Sequence, residues 1–360
     1  MKNLIILFLI TCCCISVSAQ EKTFAVLGKV IDSATRQPLD KASAYCQNTT
    51  QGTVSNNQGL FYMRLPNGGY DLVVTYTGYE KRVFRISNNQ PTADTLVIEL
   101  NKADQSLSEV AVVASTEDPD GLNKYGKFFS DNFIGTTGYA DQCKIENPEV
   151  LHFFYSKKKN RLRITAKEDL IIANYALGYK IRYQLDSFSY DYGNNITQYT
   201  GSPLFQEIDS TEEMKAQWKK NRAHTYLGSR LHFMRAFYDS ALAKEGFTVE
   251  KLDDDSSSIK GTVLNDLYNS QNYVLDSGDV EVNWAGRYRI SYRNVLPDKK
   301  FLEEYKLPAN TRYQYTLLEV SNGFVIEKNG YFYEQYDVIN NGYWAWKKLA
   351  ELLPYDYEFH

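Results

Sequence analysis

A small two-sheet β-sandwich followed by an α+β domain with an extensive antiparallel sheet is the fold class this sequence predicts. Three observations carry that expectation. Between Val26 and Leu100, short apolar segments alternate with turn residues, as at Gln37-Pro38-Leu39, Asn56-Asn57-Gln58-Gly59, Pro66-Asn67-Gly68-Gly69 and Gly78-Tyr79. Beyond residue 121, stretches of alternating side chains are mixed with stretches of helical spacing. The 29 tyrosines add a third sign, because a flat apolar ring with a polar tip suits a half-exposed sheet face.

Within the sandwich, Phe24 to Ile31 reads as a strand that ends in a Ser-, Thr- and Pro-rich turn over Asp32 to Pro38. Short strands follow at Ala42 to Cys46 and Gly52 to Ser55, and Asn56 to Gly59 form a turn that tolerates left-handed backbone. Leu60 to Leu65 alternates strictly, with Phe61, Met63 and Leu65 on one face and Leu60, Tyr62 and Arg64 on the other. Pro66 to Gly69 turn the chain into a strand from Tyr70 to Tyr76, Gly78-Tyr79 breaks it, and Lys81 to Ile86 and Thr95 to Leu100 complete seven strands.

Ser115 to Gly121 is polar and reads as a linker. After it, Tyr125, Phe128, Phe129 and Phe133 predict a helix over Lys124 to Phe133. Strands are expected at Val150 to Tyr155, Arg161 to Ala166 and Tyr179 to Tyr190. Ser210 with Glu213 has the form of a capping box opening a helix through Lys220, and a second helix is expected from Tyr226 to Lys244, stopped by Gly246. Strands resume at Phe247 to Leu252, Val280 to Tyr292, Tyr313 to Val320 and Phe324 to Glu327, and a last helix over Trp344 to Leu353 ends at Pro354. The expected domains are a signal peptide over 1–19, the sandwich over 24–101, a strand and linker over 102–121, and the α+β domain over 122–360.

The first nineteen residues predict export: Lys2 is a positive start, Leu4 to Ile10 an apolar run too short to span a bilayer, and Val17-Ser18-Ala19 a cleavage site before Gln20. The rival is a lipoprotein in which Cys12 carries the lipid, although Thr11 is bulky for that site. Either way the expected location is the periplasm or the outer-membrane periphery of a Gram-negative cell. Of five cysteines, only Cys46 and Cys143 remain after cleavage; they are read as two independent thiols, with pairing left open. No later apolar run is long enough for a transmembrane helix. Loss of Lys2 takes the formal charge from −4 to −5, which argues against a nucleic-acid partner.

The ordered set Gly28-x-Val30-x-Asp32, Gln37-Pro38-Leu39, Ala42, Gly52-Thr53, Gly59-x-Phe61, Leu65-Pro66, Gly69-Tyr70 and Gly78-Tyr79 resembles the carboxypeptidase regulatory-like domain. That resemblance implies a transthyretin-like, Ig-like sandwich over roughly residues 25 to 100. In this family the module accompanies metallocarboxypeptidases and precedes the plug and barrel of TonB-dependent receptors, and it is not itself catalytic. Leu107-Ser108-Glu109-Val110-Ala111-Val112-Val113-Ala114 is similar to the acidic-then-valine strand that follows the sandwich in those receptors. A barrel of about 22 strands at about 9 to 11 membrane residues each, plus a plug and loops, exceeds the 246 residues after Ala114. Glu146-Asn147-Pro148, Ala173 to Tyr179, Tyr226-Leu227-Gly228-Ser229 and Leu353-Pro354-Tyr355-Asp356-Tyr357 resemble the C-terminal part of exported proteins led by this sandwich, a part to which the resemblance assigns no chemistry.

Catalytic patterns are weak. A zinc site needs three ligands, and His152, His224, His232 and His360 form neither His-Glu-x-x-His nor His-x-x-Glu. Gly228-Ser229 lacks the second glycine of a nucleophile elbow and sits in a helical pattern. Cys143 and His152 flank a predicted strand start without pointing at a common substrate position. Asp253 to Ser258 opens like a calcium loop, but Ser258 stands where Gly is needed and Leu264 where a bidentate acid is needed. No catalytic residue, cofactor or metal ligand is therefore assigned. The expected function is a non-catalytic envelope protein that meets another envelope protein, a peptide or a glycan, with Tyr190, Tyr192, Tyr199, Tyr343, Trp344 and Trp346 as candidate ligand-stacking residues. The alternative is a hydrolase acting on peptidoglycan, glycan or peptide through two acids in one C-terminal cleft.

Overall fold

Seven short strands come first along the chain: β1 (Thr23–Asp32), β2 (Ser43–Cys46), β3 (Gly52–Val54), β4 (Leu60–Pro66), β5 (Gly69–Thr75), β6 (Arg82–Ser87) and β7 (Leu96–Leu100). The structure is a computed structural model that describes residues 22–89, 95–103, 117–253 and 260–359. Sheet β4-β1-β7 faces sheet β3-β2-β5-β6, and β1 runs antiparallel to β4 and parallel to β7. The alternation of β4 holds: Phe61, Met63 and Leu65 are buried with Val26, Val30, Leu72, Val74, Ile98 and Leu100, while Tyr62 and Arg64 face out. Each buried Val, Leu or Phe here contributes about 1.5–3 kcal/mol of apolar transfer. Gly28 is needed opposite Phe61, since a Cβ there would lie 2.2 Å from the ring.

The remainder is mostly β, with several antiparallel sheets and few helices. Helix α1 (Gly121–Phe133) covers a six-stranded sheet built from β8 (Cys143–Ile145), β9 (Leu151–Ser156), β10 (Arg161–Ala166), β11 (Leu170–Asn174), β12 (Tyr179–Asp191) and β13 (Ile196–Glu207). The long β12 carries β13 along one edge and β11 then β10 along the other. After α2 (Glu212–Tyr226), α3 (Arg230–Tyr238) and α4 (Leu242–Glu245) come β14 (Phe247–Leu252), β15 (Gly261–Val263), β16 (Tyr273–Asp276), β17 (Asp279–Val282) and β18 (Gly286–Tyr292). Then follow α5 (Lys299–Glu304), β19 (Gln314–Val320), β20 (Phe324–Ile326), β21 (Val338–Gly342) and α6 (Tyr343–Lys347). They form a five-stranded sheet, β15-β14-β18-β19-β21, and a three-stranded one, β16-β17-β20.

Several expected elements are shorter. The helix expected over 226–244 breaks at Gly228, whose φ is +77° and whose Cβ would strike Gln314 and Tyr292, and Ser229 starts α3 by accepting from the His232 amide at 3.1 Å. The strand expected over 280–292 is interrupted before Gly286, where φ is +98°. The last helix stops at Lys348, held at φ 45° and ψ −152°, and only a single 3₁₀ turn, Leu349–Glu351, follows. The cap of α2 is Thr211 rather than Ser210, its Oγ1 accepting from the Met214 amide. Of the expected linker, Glu117 bridges to Phe154 and Gly121 already opens α1. Residues 107–114, like residues 254–259 of the acidic loop, lie outside the described residues.

Candidate functional site

The chemistry of this molecule concentrates where the sandwich meets the C-terminal region. Sheet β3-β2-β5-β6 and its turns lie against that region along a polar seam. At one end the β2–β3 turn is clamped by backbone bonds, from Asn48 N to Pro203 O (2.7 Å), from Phe205 N to Thr49 O (2.9 Å) and from Tyr355 N to Asn48 O (2.7 Å). Asp356 accepts there from Thr50 N at 3.0 Å and from Gln51 Nε2 at 2.9 Å. Further along, Lys81 pairs with Asp186 at 2.5 Å, and Arg182 donates to Ser43 Oγ at 2.8 Å while its guanidinium lies over the Tyr45 ring.

At the other end the seam becomes acidic and buried. Gly68 and Gly69 leave a notch: a Cβ on Gly69 would lie 2.7 Å from Glu327 Cγ, and one on Gly68 2.5 Å from Asn329 Cγ. Asn329 Nδ2 donates to Gly69 O at 2.9 Å, and Tyr331 OH donates to Asp71 Oδ1 at 2.9 Å. The Arg85 guanidinium stacks over the Tyr333 ring at 3.8 Å, and Tyr333 OH donates to Glu327 Oε1 at 2.5 Å. Glu327 is 1% exposed. Its carboxyl lies beside that of Asp279, whose Oδ1 accepts from Asn89 Nδ2 at 2.7 Å. Burial, with the negative charge of Asp279 beside it, pushes the Glu327 carboxyl up to about 7. Burial also raises Asp279 and Asp71, the latter against the opposing pull of the Tyr331 hydroxyl.

Candidate nucleophiles are turned elsewhere. Cys46 and Cys143 are both free; burial pushes the Cys143 thiol up to about 12 and raises Cys46 as well, the opposite of an activated thiolate. His152 Nδ1 lies 2.6 Å from Glu117 Oε1, whereas Cys143 Sγ donates to Tyr139 O. His232 is buried with Nδ1 accepting from the Gly228 amide and Nε2 facing Glu245 at 3.4 Å, while Ser229 spends its hydroxyl as a helix cap. Among the described residues no three His, Cys, Asp or Glu side chains are grouped to hold a metal ion, and no helix is long and apolar enough to cross a membrane.

Residues 26–112, which include the two facing sheets and their core of Val26, Phe61 and Leu72, match the family model of the CarboxypepD_reg-like domain. The front of this chain is a CarboxypepD_reg-like domain. Among curated proteins none matches the chain in sequence. Among solved structures it is similar to the TIE protein of Bacillus anthracis, at 11% identity and a TM-score of 0.19 over 52% of this chain and 32% of that one. It is also similar to a 9R-lipoxygenase from Cyanothece PCC8801, at 9% identity and a TM-score of 0.14 over 61% and 48%. The chain thus spans about a third and about half of those two structures.

The signature positions of the CarboxypepD_reg-like domain are structural in this chain. Asp32 accepts from the amides of Ala34 and Thr35 and, at 2.6 Å, from the Tyr79 hydroxyl, so the first and last of its motifs are tied together. The aromatic residues proposed for stacking lie outside this domain and are engaged internally. Tyr343 and Trp346 are each 3% exposed and pack on Phe301. Trp344 packs on Phe233 and donates from Nε1 to Gly228 O at 2.7 Å. Tyr190 and Tyr192 meet Phe128 and each other, and Tyr199 lies between Phe133 and Phe188; all three are half-buried. A cleft of about 200 Å³ opens near α5, lined by Asp131, Asn132, Glu304, Tyr305, Trp346 and Lys348. There Trp346 Nε1 donates to Glu304 Oε2 at 2.8 Å, and Lys348 Nζ donates to Asp131 O at 3.1 Å, near the C-terminus of α1 where a cation is favoured. The seam acids were not singled out by sequence reasoning, because Asp279 and Glu327 are 48 positions apart, the first opening one ordinary strand and the second following another.

Proposed function

We propose that this chain is a non-catalytic exported protein of the cell envelope in which the CarboxypepD_reg-like domain is a structural and interaction module. The observation that carries this reading is the division of labour between the two sheets of the sandwich. Sheet β3-β2-β5-β6 and its turns supply the sandwich's seam contacts, with Val54 and Val83 left exposed, whereas the outer face of β4-β1-β7 presents Leu27, Tyr62 and Val97, 44%, 58% and 51% exposed. Leu27 and Tyr62 are direct cross-strand partners, so these side chains form one patch, a surface suited to another envelope protein or a peptide. The leader-like first nineteen residues support export. The test is a pull-down from native envelope with the mature protein from Gln20, compared with a Leu27→Glu/Tyr62→Glu variant. The proposal expects a reproducible protein partner that the variant loses at unchanged melting temperature. Equal recovery by the variant would remove the patch from the account.

A second reading, a hydrolase of peptidoglycan, glycan or peptide, draws on the cleft that holds Asp131 and Glu304. Peptidoglycan fragments that return shortened from the same pull-down, and are left intact by Glu304→Gln, would put that reading first.

A further inference from the structure

Strands β17 and β20 are antiparallel neighbours in which Val280 faces Ile326 and Val282 faces Phe324. Continued by one residue, that register sets Asp279 directly opposite Glu327, two acids where cross-strand partners are normally neutral or opposite in charge. Val280 and Ile326 point into a core, so the next residues point the other way, onto the sandwich. There Glu327 fills the notch over Gly69 and Asp279 accepts from Asn89 Nδ2 at 2.7 Å, so the register places the two carboxyl groups side by side. Two adjacent carboxyl groups can hydrogen-bond to each other only while they share a proton.

We propose that Asp279 and Glu327 form a proton-sharing latch that holds the CarboxypepD_reg-like domain against the C-terminal region, and that loss of the shared proton to solvent loosens this end of the seam. The surroundings decide the direction. From the sandwich, β5 contributes Asp71, β6 contributes Arg85, and the following turn contributes Asn89. From the C-terminal side, Asp276 precedes Asp279, Tyr331 and Tyr333 contact the acids from the hairpin after β20, Tyr238 feels both acids from the end of α3, and Lys328 acts on the neighbouring Asp239. Asp71 and Glu327 share the Arg85 guanidinium, while Asp279 is met by the neutral Asn89 and the like-charged Asp276, so Arg85 cannot neutralise all three acids once the shared proton has left. The clamp of Asp356 on Thr50 and the Lys81–Asp186 pair lie elsewhere along the seam and hold no shared proton, so the opening is local.

Hydrogen exchange of the full chain, corrected for intrinsic rates, tests this. Protection of residues 67–72 and 82–89 should fall about tenfold between about pH 5.5 and about pH 8.5, while the β2–β3 turn is unchanged. Glu327→Gln, which keeps a donor toward Asp279 without a titrating proton, should show the same protection at both pH values. Asp279→Asn makes the same test from the other side if the first variant fails to fold. A wild-type chain with no pH-dependent step in these segments, or variants that keep it, would overturn the latch. So would infrared spectra of the wild type at the lower pH that lack a protonated-carboxyl stretch lost on raising the pH.

Discussion

Phe61 and Gly28 show how a single pair can decide a fold. The ring occupies the space a Gly28 side chain would need, so Gly28→Ala should overpack the core and cost about 1–3 kcal/mol, whereas Phe61→Ala should leave a cavity worth about 3–5 kcal/mol. The double variant should be more stable than the sum of the two losses, which denaturant melts of the four proteins would reveal. Asp32 gives the electrostatic counterpart. The hydroxyl of Tyr79 and the amides of Thr35 and Ala34 hold its carboxylate down at about 2, against an ordinary 3.8. A depressed carboxyl stabilises the fold above its unfolded pKa and loses that contribution as pH falls from about 4 toward 2. Tyr79→Phe should therefore destabilise at neutral pH, and the gap to wild type should narrow as the melts are taken to about pH 2. Both pairs were within reach of sequence as motif positions, but their partnership was not, because nothing in the spacing of Asp32 and Tyr79 says that the two touch.

At the scale of elements, the sandwich strands were legible to within one or two residues at nearly every end, because most are bounded by Pro, Gly or Asn and β4 alternates cleanly. The C-terminal helices were less so. Tyr226 to Lys244 has helical periodicity, and what divides it is tertiary: Gln314 and Tyr292 occupy the space beside Gly228, and Ser229 restarts the helix. Ser229→Ala should cost about 1 kcal/mol, measured by thermal melts, while Gly228→Ala, strained at φ +77° and blocked by Gln314, should cost more. Strand β13 escaped notice because Gly201 and Pro203 interrupt its pattern; it is held as a partner of β12 along its whole length. The two aromatic groups were legible as aromatic and not as buried, since exposure depends on which sheet or helix covers them, as Phe128 covers Tyr190 and Phe301 meets Tyr343.

For the whole molecule, the account rests on the seam. Its residues come from distant parts of the chain, Asn48 with Tyr355, Gly69 with Glu327 and Asp71 with Tyr331, so no local pattern could announce it. Its polarity fixes the register of the contact, because a shifted docking would leave buried donors and acceptors without partners. Scanning calorimetry of the full chain, with and without Asp356→Ala, tests this most directly. That substitution removes the acceptor of Thr50 N and Gln51 Nε2 and should cost about 2 kcal/mol. If the CarboxypepD_reg-like domain is built into the C-terminal region, unfolding is a single transition that shifts down as a whole in the variant. Two separate transitions, with the sandwich's own unmoved by Asp356→Ala, would contradict the account.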